Sequence, residues 1–176
     1  MRALYYFLIG VLVFYLDAEI SLVVPMHIGT KDIIFVPHLT LMYILLLSIY
    51  RSFGVGLIMA VVLGLVTDLY FGSFYGLYLF GYILFVVVFD QFFKTFYRDR
   101  VMLFALTLMS VLFFEIYTAI IYGMLDLITF DLFDFVLFRL IPTMIINGVL
   151  LIIMEPLLYK FFHKIQLNID SKKRWC

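Results

Sequence analysis

Long apolar stretches separated by short polar segments make up this chain, and no other feature restricts its fold so strongly. A helix needs about 20 mostly apolar residues to cross a lipid bilayer. The pattern predicts six such spans, at about residues 4–24, 33–50, 53–71, 77–93, 101–125 and 135–162. The second is short and has Pro37 in its first turns, where proline is tolerated. The sixth is overlong and interrupted by Pro142 and Pro156.

Composition supports a membrane protein. Of 176 residues, 66% are hydrophobic and 14% are charged, whereas a soluble domain is nearer half apolar and a quarter charged. The mean hydropathy is +1.18, and a soluble domain of this size leaves too much surface exposed to bury so many apolar residues. We therefore expect an all-α, six-span membrane domain over residues 1–162 and a basic cytoplasmic tail over residues 163–176. The formal net charge is zero, which gives no reason to expect a nucleic-acid partner.

The basic residues predict an orientation. Lys and Arg are enriched in the cytoplasmic loops of membrane proteins, and six spans place both chain ends on one side. With the N-terminus inside, only Lys31 and Arg139 fall outside, and the remaining Lys and Arg side chains fall on the cytoplasmic side. Arg2 followed by an apolar run imitates a signal peptide, but no small-x-small cleavage site follows, and we interpret the run as a retained first span.

Small residues recur at every fourth position of the third span, which predicts close helix packing. The set is Gly56, Ala60, Gly64, Asp68 and Gly72. Residues four apart lie on one side of a helix, and small side chains let helix backbones approach closely in lipid. A glycine inside a helix costs about 1 kcal/mol relative to alanine, so the pattern indicates that something packs there. It is one of the chain's own helices, a docking partner, or both.

A few polar side chains lie within the predicted spans, where charge is expensive. Asp68, near the outer end of span three, either accepts hydrogen bonds from a neighbouring helix, bridges to Tyr70, or faces a partner or ligand. Glu115 and Asn147 lie near the middles of spans five and six, and we expect a hydrogen bond between them. The alternative is that Glu115 is protonated. Asp17 lies in the outer third of span one.

Signatures of catalysis or cofactor binding are missing from the sequence. It contains no phosphate-binding Gly-Lys-Ser loop, no His-Glu-x-x-His and no Gly-x-Ser-x-Gly. His27, His38 and His163 are scattered, and Cys176 is the single cysteine, so no metal site is expected. The prediction is a protein that is not an enzyme and needs no cofactor.

A series of motifs resembles the MreD family of bacterial rod-shape-determining membrane proteins. The series is Pro37-His-Leu-Thr-Leu, then Tyr50-Arg51, then Gly54-x-Gly56 through Gly64-x-x-x-Asp68-x-x-Phe71-Gly72-x-x-x-Gly76. Chain length, six spans and a short basic tail agree with the family. The turn reads Arg51-Ser52 where many members carry Arg-Gly.

The resemblance implies a non-catalytic scaffold of cell-wall synthesis. Its expected partners are an MreC-like bitopic membrane protein, the glycosyltransferase and transpeptidase that build peptidoglycan, and the bilayer of the bacterial cell membrane. Together with the glycine pattern, it makes Pro37, Arg51 and the small-residue series, with Asp68, candidates for packing or partner contact. The family is also similar in fold to the substrate-binding S-components of energy-coupling-factor vitamin transporters, which supplies the alternative function. The Ala-x-x-x-Ala pattern common on span one of S-components is missing here.

Overall fold

The computed structural model describes the backbone of residues 2–23, 25–28, 31–72, 74–96, 100–126 and 132–173. Within these residues the chain forms seven α-helices, one π-helical segment and a two-stranded antiparallel hairpin. In chain order they are α1 (Arg2–Val23), β1 (Pro25–Ile28), β2 (Lys31–Ile34), α2 (Leu39–Tyr50), α3 (Phe53–Phe71), α4 (Leu77–Phe96), α5 (Arg100–Met124), α6 (Leu132–Phe135), the π-helical segment (Val136–Leu140) and α7 (Ile141–Lys173).

The short helix α2 is the centre of the bundle. It contacts α1, α3, α4, α5 and α7, and every side chain from Leu39 to Ser48 is buried. A helix that is apolar on all sides is expected to be enclosed by other helices. Its 12 residues give a length of only about 18 Å.

Within the predicted second span, the helix begins at Leu39 and not at residue 33. Residues 33 and 34 belong to β2, where Ile33 pairs with Met26 and Ile34 with Pro25. Residues 35–38 have no regular structure, so Pro37 precedes α2 and does not lie in its first turns. Proline disfavours the helical conformation in the residue before it, which explains why the helix begins only after this segment. The connection between the first two predicted spans, residues 25–32, likewise contains β1 and the beginning of β2.

Among the residues that the structure describes, four helices are long and apolar enough to cross a membrane. They are Leu4–Val23, Phe53–Phe71, Arg100–Met124 and Phe133–Phe162, the last of which includes the π-helical segment. Only 22% to 39% of the residues in their apolar windows are buried within the protein. Most of their apolar side chains therefore face outward, which is stable in lipid but not in water. Two shorter apolar helices, Leu39–Tyr50 and Leu77–Phe92, complete the bundle.

Two connections show how the chain turns at the helix ends. Ser52 immediately precedes α3 as its N-cap, and its side chain accepts a hydrogen bond from Val55 N at 3.4 Å. Gly76, just before α4, has a φ of 99°, a conformation that glycine adopts without the clash of a Cβ atom. The last helix continues through Pro156 to Lys173, so this proline does not end the predicted span. Residues 127–131, which lie between the predicted fifth and sixth spans, are outside the described residues, as are the side chains of His27, Lys31 and the tail over residues 163–176.

Candidate functional site

The first turn of α2 is capped by a carboxylate from another helix. Asp17 of α1 accepts hydrogen bonds from Leu39 N at 3.2 Å, Thr40 N at 3.0 Å and the Thr40 hydroxyl at 2.7 Å. The first amides of a helix have no partner within it, and in a membrane each must find one in the protein. Asp17, which is 7% exposed, supplies that partner, and its negative charge is favoured by the positive end of the helix dipole.

The irregular segment before α2 is held by α7. The amide nitrogen of the Asn147 side chain donates to Val36 O and to Thr143 O, both at 2.8 Å. The Asn147 side-chain oxygen accepts from His38 N at 2.8 Å, and the Thr143 hydroxyl accepts from Val36 N at 3.2 Å. Non-helical backbone at membrane depth is stable only where the protein itself supplies its hydrogen bonds, and these two side chains do so.

A buried carboxylate joins this segment to α5 and the π-helical segment. Glu115 has a fully buried side chain and lies 2.7 Å from His38 Nε2 and 3.0 Å from Arg139 Nε. The His38 ring also packs edge-on against Phe114, with ring centroids 5.3 Å apart. A buried charge is tolerated when it is paired and hydrogen-bonded, so two basic partners account for an acid at this depth.

The predicted hydrogen bond between Glu115 and Asn147 is wrong. Both side chains instead bind His38, Glu115 through the imidazole and Asn147 through the backbone amide. The physical reason is the short α2, which leaves a polar segment of backbone between α5 and α7 that both side chains can satisfy.

Asp68 of α3 caps the first turn of α4, as Asp17 of α1 caps the first turn of α2. Its two carboxylate oxygens accept from Tyr78 N at 2.9 Å and Leu79 N at 3.0 Å, in the first turn of α4. The alternative of a bridge to Tyr70 does not occur, because the Tyr70 ring packs on Phe14 and Phe71 instead and its side chain is 57% exposed.

The small-residue series of α3 packs against the chain's own helices. A Cβ added at Gly56 would lie 2.5 Å from Ser48 Cβ on α2, and one at Gly64 would lie 2.8 Å from Leu79 Cα on α4. Ala60 between them is fully buried. Gly72 ends the helix, with its N–H donating to Asp68 O at 3.0 Å. We call Gly56, Ala60 and Gly64 the glycine seam.

The two remaining candidates lie at opposite ends of α2. Pro37 is buried before its first turn. Arg51 follows its last turn, where the guanidinium lies 5.2 Å from the Tyr6 ring centroid and 5.8 Å from that of Phe162 and donates to Phe162 O at 3.4 Å. The cation thus connects the end of α2 with the first turns of α1 and with Phe162 of the long last helix through cation–π contacts.

A small polar cavity of about 40 Å³ lies beside the first turn of α2. Its polar lining comes from three helices, α1, α3 and α4, and from the segment between β2 and α2. These side chains are Asp17, Ser21, His38, Thr67, Tyr78 and Tyr82. Its size is far below the roughly 300–1,000 Å³ typical of pockets for drug-sized ligands.

Comparison with known protein families decides the relationship. The model of the rod shape-determining protein MreD family matches residues 1–165. The chain belongs to the MreD family. Searches of curated proteins and of solved structures found no match. As a member of the MreD family with apolar helices of membrane-spanning length, the protein is a membrane protein of rod shape determination.

In this MreD family member, sequence reasoning had missed the role of His38 and Arg139 at the site. From the sequence, His38 is only one of three scattered histidines, and Arg139 is only a basic residue on the outer side of the membrane. A signal was present, because a buried acid such as Glu115 requires basic partners and few bases lie near the middle or outer part of the spans. Among the side chains that the structure describes, no group of three or more His, Cys, Asp or Glu residues has the arrangement to hold a metal ion.

Proposed function

We propose that this protein is a non-catalytic membrane scaffold of the bacterial cell-wall synthesis and cell-shape machinery, and that it binds an MreC-like bitopic membrane protein. The observation that carries the proposal is the family match over residues 1–165. The peptidoglycan glycosyltransferase and transpeptidase are the further partners that we expect.

The geometry of the buried polar groups supports a scaffold. Asp17 and Asp68 each cap a helix, Asn147 binds backbone, and Glu115 is neutralised by two bases. A general acid, base or nucleophile needs access to a substrate within hydrogen-bonding reach, whereas these groups are engaged by other parts of the chain. They therefore serve to hold the helices in one arrangement.

We further propose six spans, with α2 and α4 as the two additional crossings and both chain ends in the cytoplasm. The short α2 is surrounded by other helices, so it does not have to match the thickness of the hydrocarbon layer by itself. The hairpin and residues 35–38 complete its path. The distribution of Lys and Arg between the loops supports this orientation.

The alternative, a vitamin-binding S-component, requires space for its ligand. The cavity beside His38 has about 40 Å³, too little for a vitamin-sized molecule. Mass spectrometry of the purified protein would distinguish the two functions, because a stoichiometric bound vitamin would contradict the scaffold proposal.

The partner surface depends, in our proposal, on the glycine seam. The seam itself is buried, so it supports the surface by fixing α3 against α2 and α4 and does not form it. The test is to replace Gly64 with Leu and to measure recovery of the MreC-like protein when the MreD protein is purified from membranes. We expect reduced recovery.

Gly54→Leu is the matched control, because a Cβ at Gly54 meets nothing within 4 Å. This variant makes the same chemical change on the same helix and should leave recovery unchanged. Undiminished recovery with Gly64→Leu, at a normal level of inserted protein, would refute the role of the seam. Crosslinking of the unmodified protein in intact membranes that captured no MreC-like protein would refute the partner itself.

A further inference from the structure

The cavity beside α2 has a buried floor and a half-buried mouth. Asp17, His38, Thr67 and Tyr82 on the floor are between 2% and 7% exposed. The half-buried lining residues, which mark the mouth, are Ser21, Val36, Phe71 and Tyr78. Ser21 lies in the last turn of α1, which ends at Val23. The mouth is therefore close to the end of the bundle, where a membrane protein meets water.

The ring nitrogen Nδ1 of His38 needs a hydrogen-bond partner from the cavity. Nε2 binds Glu115 at 2.7 Å, and the side chain is 5% exposed. Within the part of the chain that the structure describes, Nδ1 has no hydrogen-bond partner, yet it is not sealed from a space the size of a water molecule. Nδ1 is a donor in the charged ring and, when Nε2 carries the proton of the neutral ring, an acceptor. In each of these states it requires a partner.

Charge and volume limit the occupant. An anion would face the carboxylate of Asp17, which lines the cavity. A cation would have to compete for the Asp17 oxygens, because both already accept hydrogen bonds from the first turn of α2. An organic ligand is too large for about 40 Å³. One water needs at least about 10–15 Å³ and two to four polar partners, so the cavity has room for about two or three water molecules.

We propose that this cavity is an internal hydration site, in which water binds Nδ1 of His38 and connects it to the aqueous phase at the Ser21 mouth. Water here supplies the partner that no side chain gives to Nδ1. It also provides the route by which the His38 ring exchanges protons, although the ring lies within the bundle.

The test is water-to-nitrogen magnetisation transfer by solid-state NMR, on protein labelled with ¹⁵N-histidine in lipid bilayers. His27→Gln and His163→Gln leave His38 as the only histidine, so the ring signals belong to it. We expect rapid transfer from water to the Nδ1 signal. Absence of transfer in this protein would show a dry cavity and would overturn the proposal.

A variant at the mouth tests the route. Ser21→Leu places a large apolar side chain at the mouth, and we expect it to reduce the transfer to Nδ1. Ser110→Leu is the control, because Ser110 is half-buried on α5, bonds only Leu106 O among described groups and does not line the cavity. Transfer that persisted unchanged in Ser21→Leu would overturn the proposed route. If Ser21→Leu did not fold, the result with the His38-only protein would decide the proposal by itself.

Discussion

The glycine seam leads to a prediction about one substitution, glycine to alanine, whose effect on stability changes sign with position along a single helix. Gly54, Gly56 and Gly64 all lie in α3, and each is replaced by alanine. At Gly54 the new methyl group meets nothing within 4 Å. Alanine is favoured over glycine in a helix by up to about 1 kcal/mol, so Gly54→Ala should stabilise the protein by up to about that amount.

At Gly64 and Gly56 the same methyl group meets another helix. At Gly64 it would lie 2.8 Å from Leu79 Cα, about 0.6 Å short of the 3.4 Å at which ordinary van der Waals contact begins. At Gly56 it would lie 2.5 Å from Ser48 Cβ and 2.8 Å from Ser48 Cα. Neither contact is the far end of a flexible side chain, so backbones must move apart. Overpacking of this kind costs typically about 1–3 kcal/mol.

The gain in helix propensity offsets part of that cost. Gly64→Ala should therefore lower the free energy of unfolding by up to about 2 kcal/mol, given the propensity gain of about 1 kcal/mol. Gly56→Ala, with the closer contact, should lower it by at least as much. The measurement is unfolding in mixed detergent micelles, followed by helical circular dichroism, with the wild-type protein and the three variants compared at one protein concentration.

The order of stability is the decisive result. We expect Gly54→Ala to be the most stable of the three variants, followed by Gly64→Ala and then Gly56→Ala. If Gly64→Ala and Gly54→Ala were equally stable, the helices would not be in contact at the seam, and the packing argument would be refuted.

Two further predictions concern the buried carboxylates. Asp68→Ala removes both acceptors for the first turn of α4 and should destabilise the protein by about 0.5–2 kcal/mol, as loss of a helix cap does. Asp68→Asn keeps one acceptor oxygen and should cost less. Equal losses of stability in detergent unfolding would show that the cap is not the source. Glu115→Ala leaves His38 and Arg139 without their shared acid and should cost about 3–5 kcal/mol, the usual effect of breaking a buried ion pair. Addition of Arg139→Leu to Glu115→Ala should recover part of that loss, and a further loss on addition would contradict the charge argument.

Features of the sequence that follow from one helix alone were predictable. Small residues at every fourth position of span three require a neighbouring backbone, because only close packing compensates for the cost of glycine in a helix. Likewise, an acid near a helix end implies unpaired amides nearby, and Asp68 accepts hydrogen bonds from such amides at the beginning of α4. The sequence did not identify which helix would supply the neighbour.

Features that depend on how the helices are arranged were not predictable. The hydropathy of residues 33–50 is continuous, so it conceals the change at Pro37 from a strand and irregular backbone to a helix. That change exposes the backbone of Val36 and His38, and it determines the partners of Asn147, Thr143 and Glu115, which lie more than 75 residues away in sequence. Side chains so distant meet only when the bundle has formed, and no local pattern encodes the pairing.

The arrangement around α2 determines how any loss of function must be interpreted. This helix is held at its first turn by α1 and joined through the segment before it to α5 and α7, and at Ser48 it touches α3. A substitution in the interior can therefore shift every lipid-facing surface that the bundle presents. Reduced recovery of a partner is evidence about docking only when the variant is folded and inserted in the membrane at the level of its control. The pair Gly54 and Gly64 allows both measurements on one helix, with a methyl group for stability and a leucine for binding.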